Sequence, residues 1–466
     1  MTRILFSILL ATGFSVAPLF NISSSAQTRN KQIEELKKQI DELQRQNQQQ
    51  IEELRKKIEQ LEVQKETDQK KIEELAAKKV EEGKDAWWKN VQIDYKKPGD
   101  GFTIKTKDEN FSLRTRFLGQ VQFSVNDREN SNTATDFRIR RLRIVWDGNA
   151  YRPWLLYSVQ VDADSGGLSL RDAYFDLAYD TRIAPRVGQY KVPFSREQLN
   201  SATALQLVER SILDEEFGFG RDRGAAIYGV LGNFITYGAG VFNGDGRNGT
   251  SSDSNLLYTG RVQFTPCCGE LKYKQGSFPT GGDYNFEPNF GPKDKPLIAV
   301  SAGVAIIPGL NVGRKTPDND IDERFVEIFG EDVIDAGNAQ ADVFEFTADA
   351  SLRYWIFNLE GDYFVRHVSP DGGGFASPTD QGFRVQSGVF LVPEFIEVAG
   401  RFVYIGFDDD IGGRDSKFEI TPGLNFYFSK SHKWKLQFSY SFIRDKDTVS
   451  EETDQNVFRT QLQAYF

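Results

Sequence analysis

Four arginines, Arg138, Arg140, Arg141 and Arg143, fall within a run of six residues in which Ile139 and Leu142 separate them. A guanidinium presents a planar fork of donors that matches the oxygens of carboxylate or phosphate. The chemistry on offer is reversible capture of oxyanions rather than bond-making. In a strand successive side chains face opposite ways. Phe137 and Ile139 would share one face and Arg138 and Arg140 the other, after which the phase slips. Leu142, Ile144 and Trp146 then become the apolar face, opposite Arg141 and Arg143. One extra residue near Arg140-Arg141, a β-bulge, would put all four arginines on one side. The segment before it alternates without a slip: Phe111, Leu113, Phe117, Val121, Phe123 and Val125 oppose Ser112, Arg114, Arg116, Gln120 and Gln122. Two guanidiniums two residues apart on one strand face repel by about 0.6 kcal/mol in water and about 2 kcal/mol at an effective dielectric of 20. Arg114, Arg116, Arg138, Arg140, Arg141 and Arg143 therefore need anionic company, either mobile anions or carboxylates of the chain itself.

Other chemistries lack their residues. The chain has 2 His, His367 and His432, neither within a recognisable nucleophile–base pattern, so no enzyme is expected. The 2 Cys, Cys267 and Cys268, are adjacent, a poor arrangement for an unstrained bridge. With so few histidines no zinc site follows, and neither metal nor cofactor is expected. A formal net charge of −10 argues against a nucleic-acid partner. Mean hydropathy is −0.48, and beyond the N-terminus no apolar run is long enough for a membrane helix. An alternating membrane barrel stays open, because alternation dilutes its apolar residues.

The elements that would position the arginines come in order. Arg3, the apolar stretch Ile4 to Phe20 and Ser24-Ser25-Ala26 read as a signal peptide over residues 1–26. Residues 27–80 read as a coiled coil. Ile33, Leu36, Ile40 and Leu43, then Ile51, Leu54, Ile58 and Leu61, recur three and four apart. The two blocks are offset by a stutter, and Lys65 and Asp68 weaken the seam. A helix over 32–80 would span about 70 Å. Residues 81–109 form a linker with Trp87-Trp88 and a short strand at Phe102–Lys105. From 110 to 466 sixteen alternating strands follow, an even number as in bacterial barrels. Tight turns such as Gly232-Asn233 and Val392-Pro393 contrast with long connections at 192–222, 307–340 and 368–381. The chain ends on Phe466, an aromatic closing an alternating strand. The expected fold is an all-β membrane barrel, a 16-stranded antiparallel β-barrel preceded by an α-helical coiled coil.

Four motifs carry a resemblance. They are Phe137-Arg138-Ile139-Arg140-Arg141-Leu142-Arg143, Gly188-Gln189-Tyr190-Lys191-Val192-Pro193-Phe194-Ser195-Arg196-Glu197, Glu209-Arg210-Ser211 and Arg221-Asp222-Arg223-Gly224. With them the segment from 110 to 466 resembles the phosphate-selective porin O and P family. The resemblance implies an outer-membrane barrel of the Gram-negative type, usually a homotrimer, whose third long loop folds inward as a constriction. Here that loop is 192–222, and Ala204 to Arg210 within it would form a short helix. Its candidate residues are Lys191, Arg196, Glu197, Glu209, Arg210, Asp214, Glu215, Glu216, Arg221 and Arg223. The expected function is passive diffusion of small hydrophilic solutes and ions, with an anion or phosphate preference as its sharper form. The blander form has carboxylates facing the arginines in a transverse field: Asp222 and the acidic residues of the loop, Asp162, Asp164, Asp172, Asp176, Glu345, Asp349, Glu360 and Asp362. Expected partners are outer-membrane lipid, small anions or other hydrophilic solutes, and two further copies of the chain. The coiled coil would lie in the periplasm within reach of the cell wall, and the alternative function is a tether to it.

Overall fold

The structure is a computed structural model. It describes residues 26–83, 90–95, 100–163, 167–232, 234–249, 254–266, 287–291, 293–312, 328–329, 334, 339–372, 374–408, 413–447 and 452–466. Residues 1–25, Trp87-Trp88, Asp164 and Cys267-Cys268 lie outside these, and the expectations placed on them with them. Two compact units result, Met1–Lys89 and Asn90–Phe466.

The first unit is one helix, α1 (Ala26–Gly83). No Gly or Pro interrupts it before Gly83, and Glu, Lys, Gln and Leu dominate, all good helix formers. Ile40, Leu43, Ile51, Leu54, Ile58, Leu61, Ile72 and Leu75 are all exposed in the single chain.

The second unit opens with a hairpin, β1 (Val91–Asp94) and β2 (Phe102–Thr106), of which sequence reading found only β2. Sixteen strands follow. The first eight are β3 (Ser112–Arg128), β4 (Ala134–Asn149), β5 (Leu155–Asp162), β6 (Ser169–Leu177), β7 (Ala184–Lys191), β8 (Arg221–Leu231), β9 (Ile235–Phe242) and β10 (Leu257–Phe264). The second eight are β11 (Leu297–Asn311), β12 (Gln340–Tyr354), β13 (Phe357–Pro370), β14 (Thr379–Val392), β15 (Ile396–Gly406), β16 (Arg414–Tyr427), β17 (Trp434–Asp447) and β18 (Thr453–Tyr465).

Each pairs antiparallel with the next, and β18 pairs with β3, with Leu462 opposite Val121 and Phe458 opposite Val125. The result is a closed 16-stranded barrel, which leaves no open edge. Phe466 finishes the seam: its N–H donates to the Phe117 carbonyl at 2.9 Å, the Phe117 N–H donates back at 2.6 Å, and the rings stack at 5.6 Å.

The wall is apolar outside and polar inside. Leu359, Tyr363, Phe383 and Val385 are exposed on the outer face of β13 and β14, while Glu360, Asp362, Arg384 and Gln386 are buried within. Alternation along each strand produces this sorting, and it inverts the usual soluble order. Turns between β12 and β13 and between β14 and β15 are tight, at 355–356 and 393–395, on one rim. The connection from β7 to β8 rises from the opposite rim and turns inward.

Candidate functional site

The β3–β4 wall carries the predicted bulge. Gln120 pairs with Arg141 and Val121 with Ile139, so Arg140 is the extra residue. The phase slip brings Arg138, Arg140, Arg141 and Arg143 onto polar partners of one face, while Phe137, Ile139 and Leu142 stay exposed outside.

Every one of these guanidiniums has a protein partner. Arg114 Nε donates to Asp147 at 2.6 Å, and Arg116 bonds Asp147 and donates to the Tyr465 hydroxyl at 2.5 Å. Arg138 donates twice to Gln122, at 2.6 and 2.9 Å. Arg140 forks onto Glu209 at 2.6 and 3.1 Å, and Arg141 reaches the same carboxylate at 3.2 Å. Arg143 lies 2.7 Å from Asp162, which also takes Arg171 at 3.1 Å. Water access divides the set. Arg141 and Arg143 keep 4 % and 8 % exposure, whereas the side chains of Arg138 and Arg140 keep 45 % and 30 %.

The loop that supplies Glu209 occupies residues 192–220, since β7 extends through Lys191 and β8 begins at Arg221. Its apolar side chains are buried inside the barrel, among them Val192, Phe194, Leu205, Leu207, Val208, Leu213 and Phe217. Gly388 and Gly423 on the wall make room for it: a Cβ there would collide with the side chains of Gln206 and Leu207.

Two short helices brace the loop, α2 (Arg196–Leu199) and α3 (Ile212–Phe217), capped by the Ser195 and Ser211 hydroxyls. The helix expected at Ala204 to Arg210 is absent. That stretch is non-helical, and its carbonyls go to the wall: Leu205 O to Lys435 Nζ at 2.7 Å, Gln206 O to Asn425 at 2.8 Å and Glu209 O to Arg401 at 2.9 Å. Acceptors used this way are not free for an i→i+4 ladder.

The other candidate residues lie as follows. Lys191 ends β7 and donates to the carbonyls of Leu199 and Asn200 at 3.2 and 2.7 Å. Arg196 lies 3.5 Å from Glu360. Glu197 accepts from Ser211 N at 2.8 Å and stands 3.5 Å from Arg384 and 3.7 Å from Arg401. Arg210 bonds the Glu197 and Asn200 carbonyls at 3.2 and 2.9 Å. Glu216 joins Arg366 at 2.8 Å and Arg414 at 3.1 Å. Glu215 is exposed.

Two more residues assigned to the loop are, like Lys191, strand residues instead. Arg221 pairs with Asp172 at 3.0 Å. Arg223 is exposed on β8 in alternation with buried Asp222, level with Gln189, and makes no part of the inward loop. Alternation continues two residues further toward the loop than the strand boundary drawn from sequence.

The loop carboxylates titrate differently. Burial acts to raise Glu209, but Arg141 and Arg140 outweigh it and hold the group well below the ordinary carboxylate range. Arg366 and Arg414 likewise win over burial at Glu216. At Asp214 burial prevails, reinforced by Glu197 and against the pull of Arg210 3.5 Å away, and the group is pushed up to about 7.

Several inward residues stood outside the candidate set: Gln206, Arg366, Arg384, Arg401, Glu419 and Arg459. Gln206 belongs to the loop, and the others come one each from β13, β14, β15, β16 and β18, visible from parity but not from clustering. Arg459 donates to Ser441 at 3.2 Å, and no carboxylate among the described residues comes within 4.0 Å of it. Among the described residues no group of three or more His, Cys, Asp or Glu side chains could hold a metal.

The family described as phosphate-selective porin O and P matches residues 111–466. An uncharacterized protein of Aquifex aeolicus is 23% identical over 408 residues, covering 78% of this chain and 89% of its own. A high-pH structure of OprB from Pseudomonas putida superposes with TM-score 0.52 at 9% identity, over 77% of this chain and 95% of that one. An anion-selective porin from Comamonas acidovorans superposes with TM-score 0.49 at 13% identity, over 76% and 100%.

Proposed function

This chain belongs to the phosphate-selective porin O and P family and is an outer-membrane channel for passive diffusion; from that premise we propose that solutes pass along the β3–β4 and β16–β18 side of the interior. The observation that carries this is where inward-facing side chains stay open to water. Arg138, Arg140, Glu215, Lys417 and Arg459 keep partial or full exposure. On the other side Arg186, Arg261 and Arg384 are sealed in ion pairs with Asp176, Asp349 and Asp362. The bounding charges are arginines on the wall and carboxylates on the loop. This is a transverse field whose fixed charge tips positive at Arg459, which has no carboxylate among the described residues within 4.0 Å, and at Arg138, whose ion pair with Asp136 is long at 3.9 Å and exposed. The channel is therefore a general one for small hydrophilic solutes with a modest anion preference.

The test is the reversal potential of planar-bilayer currents under a salt gradient. Arg138→Glu and Arg140→Gln are expected to move it toward cation preference, with phosphate tested as a blocker of chloride current. These two positions suit the test better than the buried Arg141 and Arg143 because their side chains keep 45 % and 30 % exposure, and glutamine at Arg140 avoids setting carboxylate on carboxylate against Glu209. If both substitutions leave the reversal potential at the wild-type value, the path does not run there.

A second element concerns α1. Its exposed Ile and Leu stripe is a seam for further copies of the same helix; isoleucine at a with leucine at d favours two strands in isolated peptides, so on this reading the barrel and not the seam sets the homotrimer, and the helix sits in the periplasm. Deleting residues 27–80 separates two roles. Loss of chemically cross-linked trimers marks the helix as an assembly device. Intact trimers with a weakened envelope mark it as a tether to the cell wall.

A further inference from the structure

One connection breaks the pattern at the tight-turn rim. Between β10 and β11 the chain runs from Phe264 to Leu297, and its described residues Glu287, Pro288 and Asn289 are buried. Asn289 donates to the Trp355 carbonyl in the β12–β13 turn at 2.9 Å. Phe290 packs edge-on against Tyr427 at 5.0 Å and His432 at 5.2 Å, and tilted against Phe390 at 5.5 Å. From this anchorage Glu287 reaches deeper. One oxygen accepts from the Gln206 backbone N–H at 2.6 Å and from Gln386 at 3.0 Å, and the other accepts from Asn200 at 3.3 Å.

Gln206 is the turning point of the inward loop and is wholly buried. Its side-chain amide donates to Asn358 at 2.9 Å and Glu397 at 2.5 Å and accepts from Gln386 at 3.0 Å, while its carbonyl accepts from Asn425 and Gln437. Of these contacts, only the backbone N–H is held by a residue outside the barrel strands. Two segments entering from opposite rims thus meet at a single carboxylate.

We infer that Glu287 is a positioning residue for the constriction, a clasp by which the β10–β11 connection fixes the loop at Gln206 and closes the β12–β15 side of the interior to solutes. This deepens the channel reading above and rests on it. The clasp leaves the β3–β4 side as the open route. It also explains why that connection departs from the tight turns beside it. A carboxylate suits the post because one oxygen can serve a backbone N–H and a side-chain amide together, with the second free for Asn200.

The experiment is single-channel recording in planar bilayers with the full chain. Glu287→Ala strips three acceptor contacts and leaves the Gln206 N–H without its partner. Its conductance is expected to rise on the order of 1.5-fold over wild type, with flicker between levels as the loop loses its fixed position. Glu287→Gln keeps an oxygen for the Gln206 N–H and is expected to restore steady currents near the wild-type level. Phe290→Ala, which loosens the anchorage and leaves the carboxylate intact, is recorded beside them and is expected to flicker as well. Assembled barrel is scored for each variant by its heat-modifiable gel mobility. If Glu287→Ala and Phe290→Ala both assemble and conduct with wild-type amplitude and noise, the clasp is wrong while the channel reading stands. A wild-type chain that carries no current instead overturns the channel reading itself.

Discussion

Replacing Glu209 with glutamine is expected to raise the anion-to-cation permeability ratio about sevenfold. The physical reason lies in the shared carboxylate. Glu209 meets the Arg140 fork at 2.6 and 3.1 Å, Arg141 at 3.2 Å and the Gln122 amide at 3.0 Å. One negative charge therefore answers two positive ones. Glutamine keeps the shape and can still accept from Gln122 and Arg140, so the loop should stay seated. The charge is lost, and both guanidiniums remain cationic, since arginine does not deprotonate at accessible pH. For an ion passing about 7 Å away, one elementary charge is worth about 0.6 kcal/mol in water, about threefold for each sign of ion and in opposite directions, hence about sevenfold in their ratio. In the lower dielectric of a narrow passage the same charge is worth about 2 kcal/mol, so sevenfold is the smaller end of the expected effect. Arg140→Gln should move the ratio the other way, and the double substitution should lie close to wild type. Reversal potentials under a salt gradient read all three. Coincident values for Glu209→Gln and wild type would mean that ions do not pass this cluster.

That Glu209 and Arg140 could be named together shows what the sequence carries. The strand arrangement was legible because alternation at period two repeats over sixteen segments, and one face of each must be apolar where the wall meets lipid. Even the bulge was legible: Arg140-Arg141 is where two alternation phases collide. What parity cannot give is which inward group meets which. Arg384 and Glu197 are far apart in the chain, and nothing local to either marks the pair. The loop misled in a different way. Leu205, Leu207, Glu209 and Arg210 favour a helix by composition, yet their segment stays non-helical because Lys435, Asn425, Gln437 and Arg401 claim its carbonyls. Propensity is worth tenths of a kcal/mol per residue, and several charge-assisted or buried hydrogen bonds outweigh it. Glu287 had no signal at all, being one acidic residue in a long polar connection.

Arg384→Met is expected to give the largest loss of stability of any single substitution in the wall. Arg384 is fully buried and gathers three carboxylates: Asp362 at 2.5 Å, Glu360 at 2.9 Å and Glu197 at 3.5 Å. Two of these belong to β13, and the third is the loop residue that also holds Ser211 N and Ser211 Oγ at 2.8 and 2.5 Å. One guanidinium thus ties loop to wall. Removing one partner of a buried ion pair typically costs about 3–5 kcal/mol, because the opposing charge is left buried and uncompensated. Here more than one carboxylate is left. Arg196, 3.5 Å from Glu360, and Arg401, 3.7 Å from Glu197, offset part of that charge, but Asp362 keeps no other ion-pair partner among the described residues. The variant should therefore unfold at markedly lower temperature, read as the point at which gel mobility converts from the folded to the heated form. Asp362→Asn in the same chain removes the most isolated of the charges and should recover part of the loss, a non-additive result that two independent sites would not give. Because Glu197 loses an anchor at the same time, channels that do assemble should show noisier open currents than wild type. If Arg384→Met melts with wild type and records as quietly, the loop is held by its carbonyl contacts to Lys435, Asn425 and Arg401, and the charge cluster is incidental to the constriction.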